Sequence, residues 1–94
     1  MSNQIINLPP QAKELEDAVL GALLIDKYAI DEVVNILTPE CFYDIRNGLV
    51  YRAISDLYLS GSPIDLLTVT NRLKINKTLK EVGGALYLTQ LTND

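Results

Sequence analysis

Apolar residues recur along the chain at helical spacing, and the first such segment is the most informative. Pro9 and Pro10 are followed by an acidic stretch and then by the nearly continuous apolar run 18–25, which is broken only by Gly21. A helix that is apolar around most of its circumference must be enclosed by other helices or by a partner chain. We therefore predict a helix over 11–25 that the rest of a small helical domain surrounds on nearly every side.

The remaining apolar positions predict further short helices. In chain order these cover 28–37, a single turn at 38–40, 44–60, 66–75, a single turn near 78–82, and 85–91. Residues that favour helix starts lie at or just before the start of three of these segments, at Asp26, Thr38 and Asp65. The long helix has one predicted apolar face, made of Ile45, Leu49, Ala53, Ile54, Leu57 and Tyr58. No stretch alternates as a strand would, so the predicted fold is all-α, a compact orthogonal bundle of five or six short helices.

The glycines are expected at helix ends, at turns and at close contacts between helices. Gly61 is expected to end the long helix, and Gly21 is expected to let a neighbouring helix approach closely. Gly83 and Gly84 permit a turn that sends the last helix back onto the bundle. Gly48 lies inside the long helix, where glycine costs about 1 kcal/mol relative to alanine and so disfavours helix near the predicted start.

Length and composition describe one small globular domain. The chain has 94 residues, of which 48% are hydrophobic, and its single cysteine, Cys41, excludes an internal disulfide. The N-terminus lacks the basic flank and apolar core of a signal peptide, and the longest apolar run is shorter than the roughly 18 residues that span a bilayer. We expect a cytoplasmic protein without membrane contact, in which residues 1–8 form a flexible arm and residues 9–94 form a helical head.

The chain lacks the residues on which most catalytic and metal sites depend. It contains no histidine, the usual acid or base at neutral pH, and one cysteine cannot build a zinc site. The phosphate-binding pattern of nucleotidases requires a glycine that is followed directly by lysine, and none of the glycines in this chain is. Paired carboxylates could share acid and base roles, but solvated charges in the first helical turns explain them more simply; they are Glu14, Glu16, Asp17, Asp31 and Glu32. We expect no catalytic, cofactor or metal site.

Charge is distributed unevenly along the chain. The net charge is −4, and residues 1–71 hold ten acidic but only four basic side chains. The other four basic residues fall close together, at Arg72, Lys74, Lys77 and Lys80. Positive charge near the C-terminal end of a helix is stabilising, so Arg72 and Lys74 are expected to point outward there. The alternative is a small nucleic-acid-binding patch, although no aromatic residue lies within the cluster to stack on a base.

Four sequence blocks in a fixed order resemble a known family. They are Pro9-Pro10 with Glu14-Leu15-Glu16, Val19-Leu20-Gly21 and Leu24-Ile25-Asp26; Phe42-Tyr43; Gly61-Ser62-Pro63-Ile64-Asp65-Leu66-Leu67-Thr68; and Val82-Gly83-Gly84-Ala85-Leu86-Tyr87-Leu88. Together they resemble the N-terminal domain of DnaB-type replicative DNA helicases over residues 9–91. One departure lies at the start of the long helix, where that family commonly carries a histidine and this chain has Arg46-Asn47-Gly48.

The resemblance implies a role in DNA replication without catalysis by this chain. In that family the N-terminal domains form the collar of a ring-shaped hexamer, as a trimer of dimers, and primase docks on the collar; helicase loaders also contact the hexamer. ATP with Mg²⁺, and DNA, are bound by a RecA-like motor that follows a helical hairpin. The resemblance therefore implies a head domain truncated before the hairpin and the motor, belonging to a replisome protein of the bacterial cytoplasm.

Two questions stay open on the sequence. The resemblance implies that Tyr87 belongs to the primase-facing surface, whereas its chemistry favours a core aromatic residue whose hydroxyl reaches the surface. The whole chain could alternatively be a stand-alone helical adaptor that binds a replication protein in trans. The genomic reading frame separates these functions, because continuation past Asp94 into a motor favours the collar and a stop codon favours the adaptor.

Overall fold

Six α-helices and one 3₁₀ turn make up the described part of the chain, residues 10–93 of a computed structural model. They are α1 (Pro10–Ile25), α2 (Ala29–Val33), the 3₁₀ turn (Pro39–Cys41), α3 (Ile45–Leu59), α4 (Leu66–Ile75), α5 (Leu79–Val82) and α6 (Gly84–Thr92). No strand occurs in this range, and the all-α prediction is confirmed. None of these helices is long and apolar enough to cross a membrane. The predicted arm, residues 1–8, lies outside the described residues.

Side-chain caps explain where α3 and α4 begin. Asp44 precedes α3, and its carboxylate accepts the backbone N–H of Arg46 at 2.9 Å. Asp65 precedes α4 and forms a capping box with Thr68, in which each side chain accepts the backbone N–H of the other residue. The observed bounds of α4 are those predicted from the sequence, because this local chemistry fixes them.

The same two helices end in one motif built from different residues. After α3, Gly61 adopts a left-handed φ of 71°, as expected for a glycine that ends a helix. After α4, Lys77 adopts a left-handed φ of 64°, and the N–H of Thr78 bonds to the carbonyl of Leu73 at 2.9 Å. Both ends are Schellman motifs. Only the one at Lys77 carries the steric cost of a side chain in the left-handed region.

The second helix is shorter than predicted. α2 covers Ala29–Val33 and does not reach residue 37. Its N-cap is Tyr28 instead of Asp26, although the Asp26 carboxylate accepts the backbone N–H of Tyr28 at 2.9 Å. Two features keep residues 34–37 from continuing the helix. Thr38 is extended, as residues before proline tend to be. The hydroxyl of Tyr51 donates to the carbonyl of Leu37 at 3.1 Å, which fixes that peptide against α3.

The first helix buries one face instead of being enclosed on nearly every side. Leu20, Leu23 and Leu24 are buried, whereas Ala22 is exposed and Ile25 is 67% exposed. α3 and α6 pack against the buried face, and no element of the described residues covers the opposite one. The prediction that the domain encloses this helix on nearly every side is therefore wrong. The apolar pattern does not distinguish residues that the domain buries from residues that a partner would bury.

Two glycines allow elements to approach a helix closely. A methyl group at Gly21 would overlap the carbonyl oxygen of Leu91, which confirms the predicted contact and identifies α6 as the neighbour. At Gly48 a methyl group would come within 3.0 Å of the Pro39 carbonyl oxygen, so this glycine lets the 3₁₀ turn lie on α3. α3 is continuous through Gly48 despite the low helix propensity of glycine.

α3 supplies the centre of the core, on a face that differs in part from the predicted one. Its buried residues are Asn47, Val50, Tyr51, Ala53, Ile54 and Leu57. Ile45, which was predicted on this face, is 77% exposed because it is the first helical residue and lies ahead of the packed part of α3. Val69 and Leu73 of α4 and Leu88 and Leu91 of α6 also belong to the core, as do Ile30 of α2 and Val82 of α5.

Candidate protein-interaction site

Tyr87 lies in the core near the start of α6. The turn before it contains Gly83 and Gly84, whose φ angles of 107° and 75° direct α6 back across the bundle. The side chain of Tyr87 is 8% exposed. Its hydroxyl donates to the side-chain oxygen of Asn47 at 2.5 Å, so the hydroxyl lies inside the domain and not at the surface, where a core tyrosine was expected to place it.

Asn47 connects Tyr87 to the first helix. It is fully buried on α3, and its amide nitrogen donates to Glu16 Oε1 at 3.1 Å and to Asp17 Oδ1 at 2.9 Å. A buried amide is tolerated when its donors and its acceptor are all paired, as they are here. Sequence reasoning did not select Asn47. The available signal was a single polar residue at helical spacing with Val50 on an otherwise apolar face.

Glu16 also ties the first helix to the entry of the third. Its carboxylate accepts the backbone N–H of Tyr43 at 2.6 Å and that of Asp44 at 3.3 Å. These N–H groups lie just ahead of α3, where negative charge interacts favourably with the helix dipole. The interpretation of Glu16 and Asp17 as solvated charges is therefore wrong, because both are half-buried and bonded to α3.

Two cations flank the ring of Tyr87. Lys13 Nζ lies 3.0 Å from the carboxylate of Asp17, 3.1 Å from that of Asp44 and 3.2 Å from the Tyr87 hydroxyl. Arg46 pairs with Asp44 at 2.9 Å, and its guanidinium carbon lies 4.3 Å from the ring centroid, within cation–π range. We call this group the Tyr87 cluster; its members are Lys13, Glu16, Asp17, Asp44, Arg46, Asn47 and Tyr87.

The members of the cluster favour one another's charge states at neutral pH. The hydrogen bond from Arg46, assisted by Lys13, holds the pKa of the Asp44 carboxyl at about 2 despite its burial. Burial lowers the pKa of Lys13, but the hydrogen bonds to Asp17, Tyr87 and Asp44 outweigh it and raise that pKa. Burial raises the pKa of the Tyr87 phenol, which stays protonated and keeps donating to Asn47.

This arrangement suits a rigid binding surface better than a catalytic site. The polar atoms of Asn47 and Tyr87 are bonded within the cluster, which joins α1, α3 and α6. The side chains of Lys13 and Arg46 remain 41% and 40% exposed, so their outer edges are available to a partner. Among the described residues, no group of three or more histidine, cysteine, aspartate or glutamate side chains is placed to hold a metal ion.

The four basic residues of 72–80 occupy a different region, at the end of α4 and around α5. None of them forms an ion pair within residues 10–93. Lys74, Lys77 and Lys80 are exposed. Arg72 is half-buried instead of pointing outward, and its Nε atom is buried without a hydrogen-bond partner. The structure therefore separates Arg72 from the lysines with which its sequence grouped it.

The exposed face of the first helix carries a row of apolar side chains. Leu15, Ala18, Ala22 and Ile25 recur at spacings of three and four residues, and all are exposed. An open groove of about 450 Å³ separates this face from the end of α6. Contiguous apolar surface of this kind on a small domain is typical of a site for another protein.

The sequence matches known proteins along nearly its whole length. The DnaB-like helicase N terminal domain family matches residues 8–94. The chain is 47% identical to the replicative DNA helicase DnaB of Rhodothermus marinus over 92 residues, which are 98% of this chain and 10% of that protein. It is 42% identical to the replicative DNA helicase DnaC of Bacillus subtilis over 86 residues, which are 92% of this chain and 19% of that protein.

The fold agrees with the sequence. The crystal structure of the N-terminal domain of DnaB helicase from Mycobacterium tuberculosis superposes with a TM-score of 0.84 at 42% identity, covering 90% of this chain and 62% of that one. This chain therefore spans between 10% and 19% of the length of the two helicases named above. The resemblance inferred from the four sequence blocks is confirmed: the chain belongs to the DnaB-like helicase N-terminal domain family.

Proposed function

We propose that this chain is the N-terminal collar domain of a hexameric replicative DNA helicase and has no catalytic activity of its own. Its partners in that role are other copies of the chain, a primase and a helicase loader. ATP, Mg²⁺ and DNA are assigned to a RecA-like motor elsewhere in the full protein, at the replisome in the bacterial cytoplasm. Residues 9–94 would form the head that precedes a helical hairpin.

The observation that carries this proposal is the similarity of the whole chain to replicative helicases. The family match covers residues 8–94, and the 47% identity to one helicase extends over 98% of this chain. The described residues also share the fold of a DnaB helicase N-terminal domain. We therefore expect the contacts of such a domain on the surfaces that this fold exposes.

The apolar row on α1 supports association between copies. Leu15 and Ile25 are 65% and 67% exposed, and the smaller Ala18 and Ala22 lie between them. The row is symmetric in sequence about position 20. In an antiparallel pair of α1 helices, Leu15 of one copy would therefore lie against Ile25 of the other. Such self-complementarity is what a twofold interface requires. The two alanines would let the helix backbones approach closely.

Ala22→Arg tests this part of the proposal. A charge at the centre of the row should weaken self-association by about tenfold or more, because it would be desolvated in the interface. Sedimentation equilibrium on this chain, and on a version extended through the expected hairpin, measures the effect. Asn35→Arg adds the same charge at an exposed position after α2 and serves as the control. A longer version that stays monomeric at every concentration would remove association from the proposed function.

Tyr87 is proposed to serve primase docking by positioning Lys13 and Arg46 at the surface. Arg46→Met should lower the affinity for the primase of the same organism by about tenfold, since a partly exposed arginine beside an aromatic ring is a common binding hot spot. Arg52→Met removes the same charge from an exposed site on α3 and is the matched control. Surface plasmon resonance provides the measurement. Equal primase affinities for the two variants would argue against a docking role for this surface.

A further inference from the structure

A groove of about 270 Å³ lies between α4 and the loop that joins it to α3. Its lining is part apolar and part polar, and consists of Leu57, Ser62, Pro63, Thr68, Asn71, Arg72 and Ile75. Lys74 directly precedes Ile75 in α4, and Lys77 lies just past the end of the helix, both exposed to solvent. We call this groove, together with Lys74 and Lys77, the basic groove.

Arg72 is the cation in the lining of the groove, and its side chain lacks a partner among the described residues. Its Nε atom is buried without a hydrogen-bond acceptor, and the residue forms no ion pair within the described part of the chain. A buried donor without an acceptor is unfavourable. The two terminal nitrogens of the guanidinium are not buried in this way, and they can bind one carboxylate through two parallel hydrogen bonds, so a carboxylate from outside the domain can pair with Arg72 there.

The apolar wall favours a peptide over a nucleic acid as the source of that carboxylate. Ile75 is 68% exposed at the groove, and an aliphatic side chain can bury itself there. None of the residues that line the groove is aromatic, so the groove offers no ring on which a base could stack. The net charge of −4 also opposes a long polyphosphate, whereas the local group of cations attracts a short acidic segment.

We propose that the basic groove binds a short acidic peptide segment of a partner protein. One carboxylate of the segment bonds to the guanidinium of Arg72, and a neighbouring aliphatic side chain packs against Ile75. Lys74 and Lys77 attract the other acidic residues of the segment. This proposal is independent of the collar function, since it requires neither a hexamer nor primase, and the two can fail separately.

A short fluorescein-labelled peptide that is rich in aspartate and ends in leucine is the probe. Fluorescence anisotropy with the 94-residue chain should show saturable binding that weakens as salt rises. Replacing the leucine by serine, or the aspartates by asparagine, should weaken binding by about tenfold in each case. The absence of saturable binding at low salt would overturn the proposal.

Substitutions at the groove assign the binding to the named residues. Arg72→Met keeps an unbranched apolar stem and should weaken peptide binding by about tenfold, because it removes the charge-assisted hydrogen bonds. Arg52→Met removes the same charge from an exposed arginine on α3 that pairs with Glu40, and should leave the peptide affinity unchanged. Ile75→Ser alters only an exposed side chain and should weaken binding by about threefold, so the test does not depend on the folding of one variant.

Two results would contradict the assignment. The groove is not the binding site if the Arg72→Met and Arg52→Met variants bind the peptide equally well. The groove is a nucleic-acid site, and the peptide proposal is overturned, if an oligothymidylate binds more tightly than the peptide and loses its affinity in the Arg72→Met variant. Equal thermal unfolding of the variants and the starting chain is the control for folding.

Discussion

The two groups of basic side chains in this domain place their cations in opposite ways. In the Tyr87 cluster, Lys13 and Arg46 pair with carboxylates and flank a buried ring. In the basic groove, Arg72 and the neighbouring lysines have no ion pair within residues 10–93, and Arg72 retains a buried donor without an acceptor. The two groups therefore differ in whether their positive charge is paired inside the domain.

The difference indicates two roles. A cation that pairs with carboxylates of neighbouring helices stabilises their packing, in addition to any contact that it makes with a partner. An unpaired cation contributes little to the stability of the fold. It can form a favourable ion pair when an acidic partner binds. Substitutions in the Tyr87 cluster should therefore lower folding stability as well as partner affinity, whereas substitutions in the basic groove should alter binding alone.

Asn47→Leu should destabilise the fold more than any other substitution in the Tyr87 cluster. The leucine has a similar size, but it leaves Glu16 and Asp17 without their amide donor and the Tyr87 hydroxyl without its acceptor. We expect the free energy of unfolding to fall by about 3 to 5 kcal/mol in a urea titration. Asn71→Leu, at an exposed position on α4, should change it by less than about 0.5 kcal/mol. Equal stabilities would mean that the buried amide does not hold the cluster together.

Gly21→Ala tests the contact that brings α6 against α1. Alanine favours a helix over glycine, yet its methyl group would overlap the Leu91 carbonyl oxygen and push the two helices apart. We expect a loss of about 2 kcal/mol in the free energy of unfolding, measured by urea titration. Gly84→Ala meets open space and should cost about 1 kcal/mol through its positive φ alone. The reverse order of effects would count against the close approach.

Asp44→Asn tests whether the cluster uses its charges for stability. The folded-state pKa of Asp44 is about 2, below the ordinary value of about 3.9. Its contribution is therefore present above pH 4 and is lost as the pH falls from about 4 to about 2. At pH 7 the variant should be about 1 kcal/mol less stable, because Asp44 is partly exposed and asparagine can still cap α3.

Urea titrations across that pH range measure the difference between the starting chain and the Asp44→Asn variant. The difference should shrink toward pH 2. Lys74→Gln is the control from the basic groove, since Lys74 has no ion pair among the described residues. Its effect on stability should be small and should not follow the titration of Asp44. A pH-independent difference for Asp44→Asn would show that its charge does not stabilise the fold.

Lys77→Gly gives the smallest expected effect, with the opposite sign. Glycine adopts the left-handed φ of 64° without the steric cost that lysine bears, so the free energy of unfolding should rise by about 0.5 kcal/mol. Differential scanning calorimetry measures the shift. Gly61→Ala is the reciprocal change at the end of α3 and should lower stability. A drop in stability for Lys77→Gly would mean that the lysine side chain makes contacts that outweigh the strain.

Local signals in the sequence predicted most of the helices. The bounds of α4 follow from Asp65 and from the end of its apolar pattern, and Gly61 ends α3 as expected. The errors arise where distant residues intervene. The hydroxyl of Tyr51 holds the carbonyl of Leu37, which keeps α2 short, and apolarity alone could not show that one face of α1 would stay exposed.

The sites were less accessible to prediction than the fold. Tyr87 was selected through the family resemblance, but its partner Asn47 is 40 positions away along the chain, and no local pattern joins them. Arg72 was grouped with the neighbouring lysines because their charges are adjacent in sequence. Its burial follows from the groove that it forms with Leu57 and Pro63, which belong to the preceding helix and loop.

The left-handed lysine at the end of α4 also has a kinetic consequence. The side chain of Lys77 bears a steric cost in the left-handed region that Gly61 does not, so we expect the backbone amides of Lys77 and Thr78 to exchange with deuterated solvent sooner than those of Gly61 and Ser62. A segment seated beside Lys77 would restrain this last turn and slow that exchange. Deuterium uptake at two amides would then report the occupancy of the neighbouring surface, even if the rest of the domain did not change.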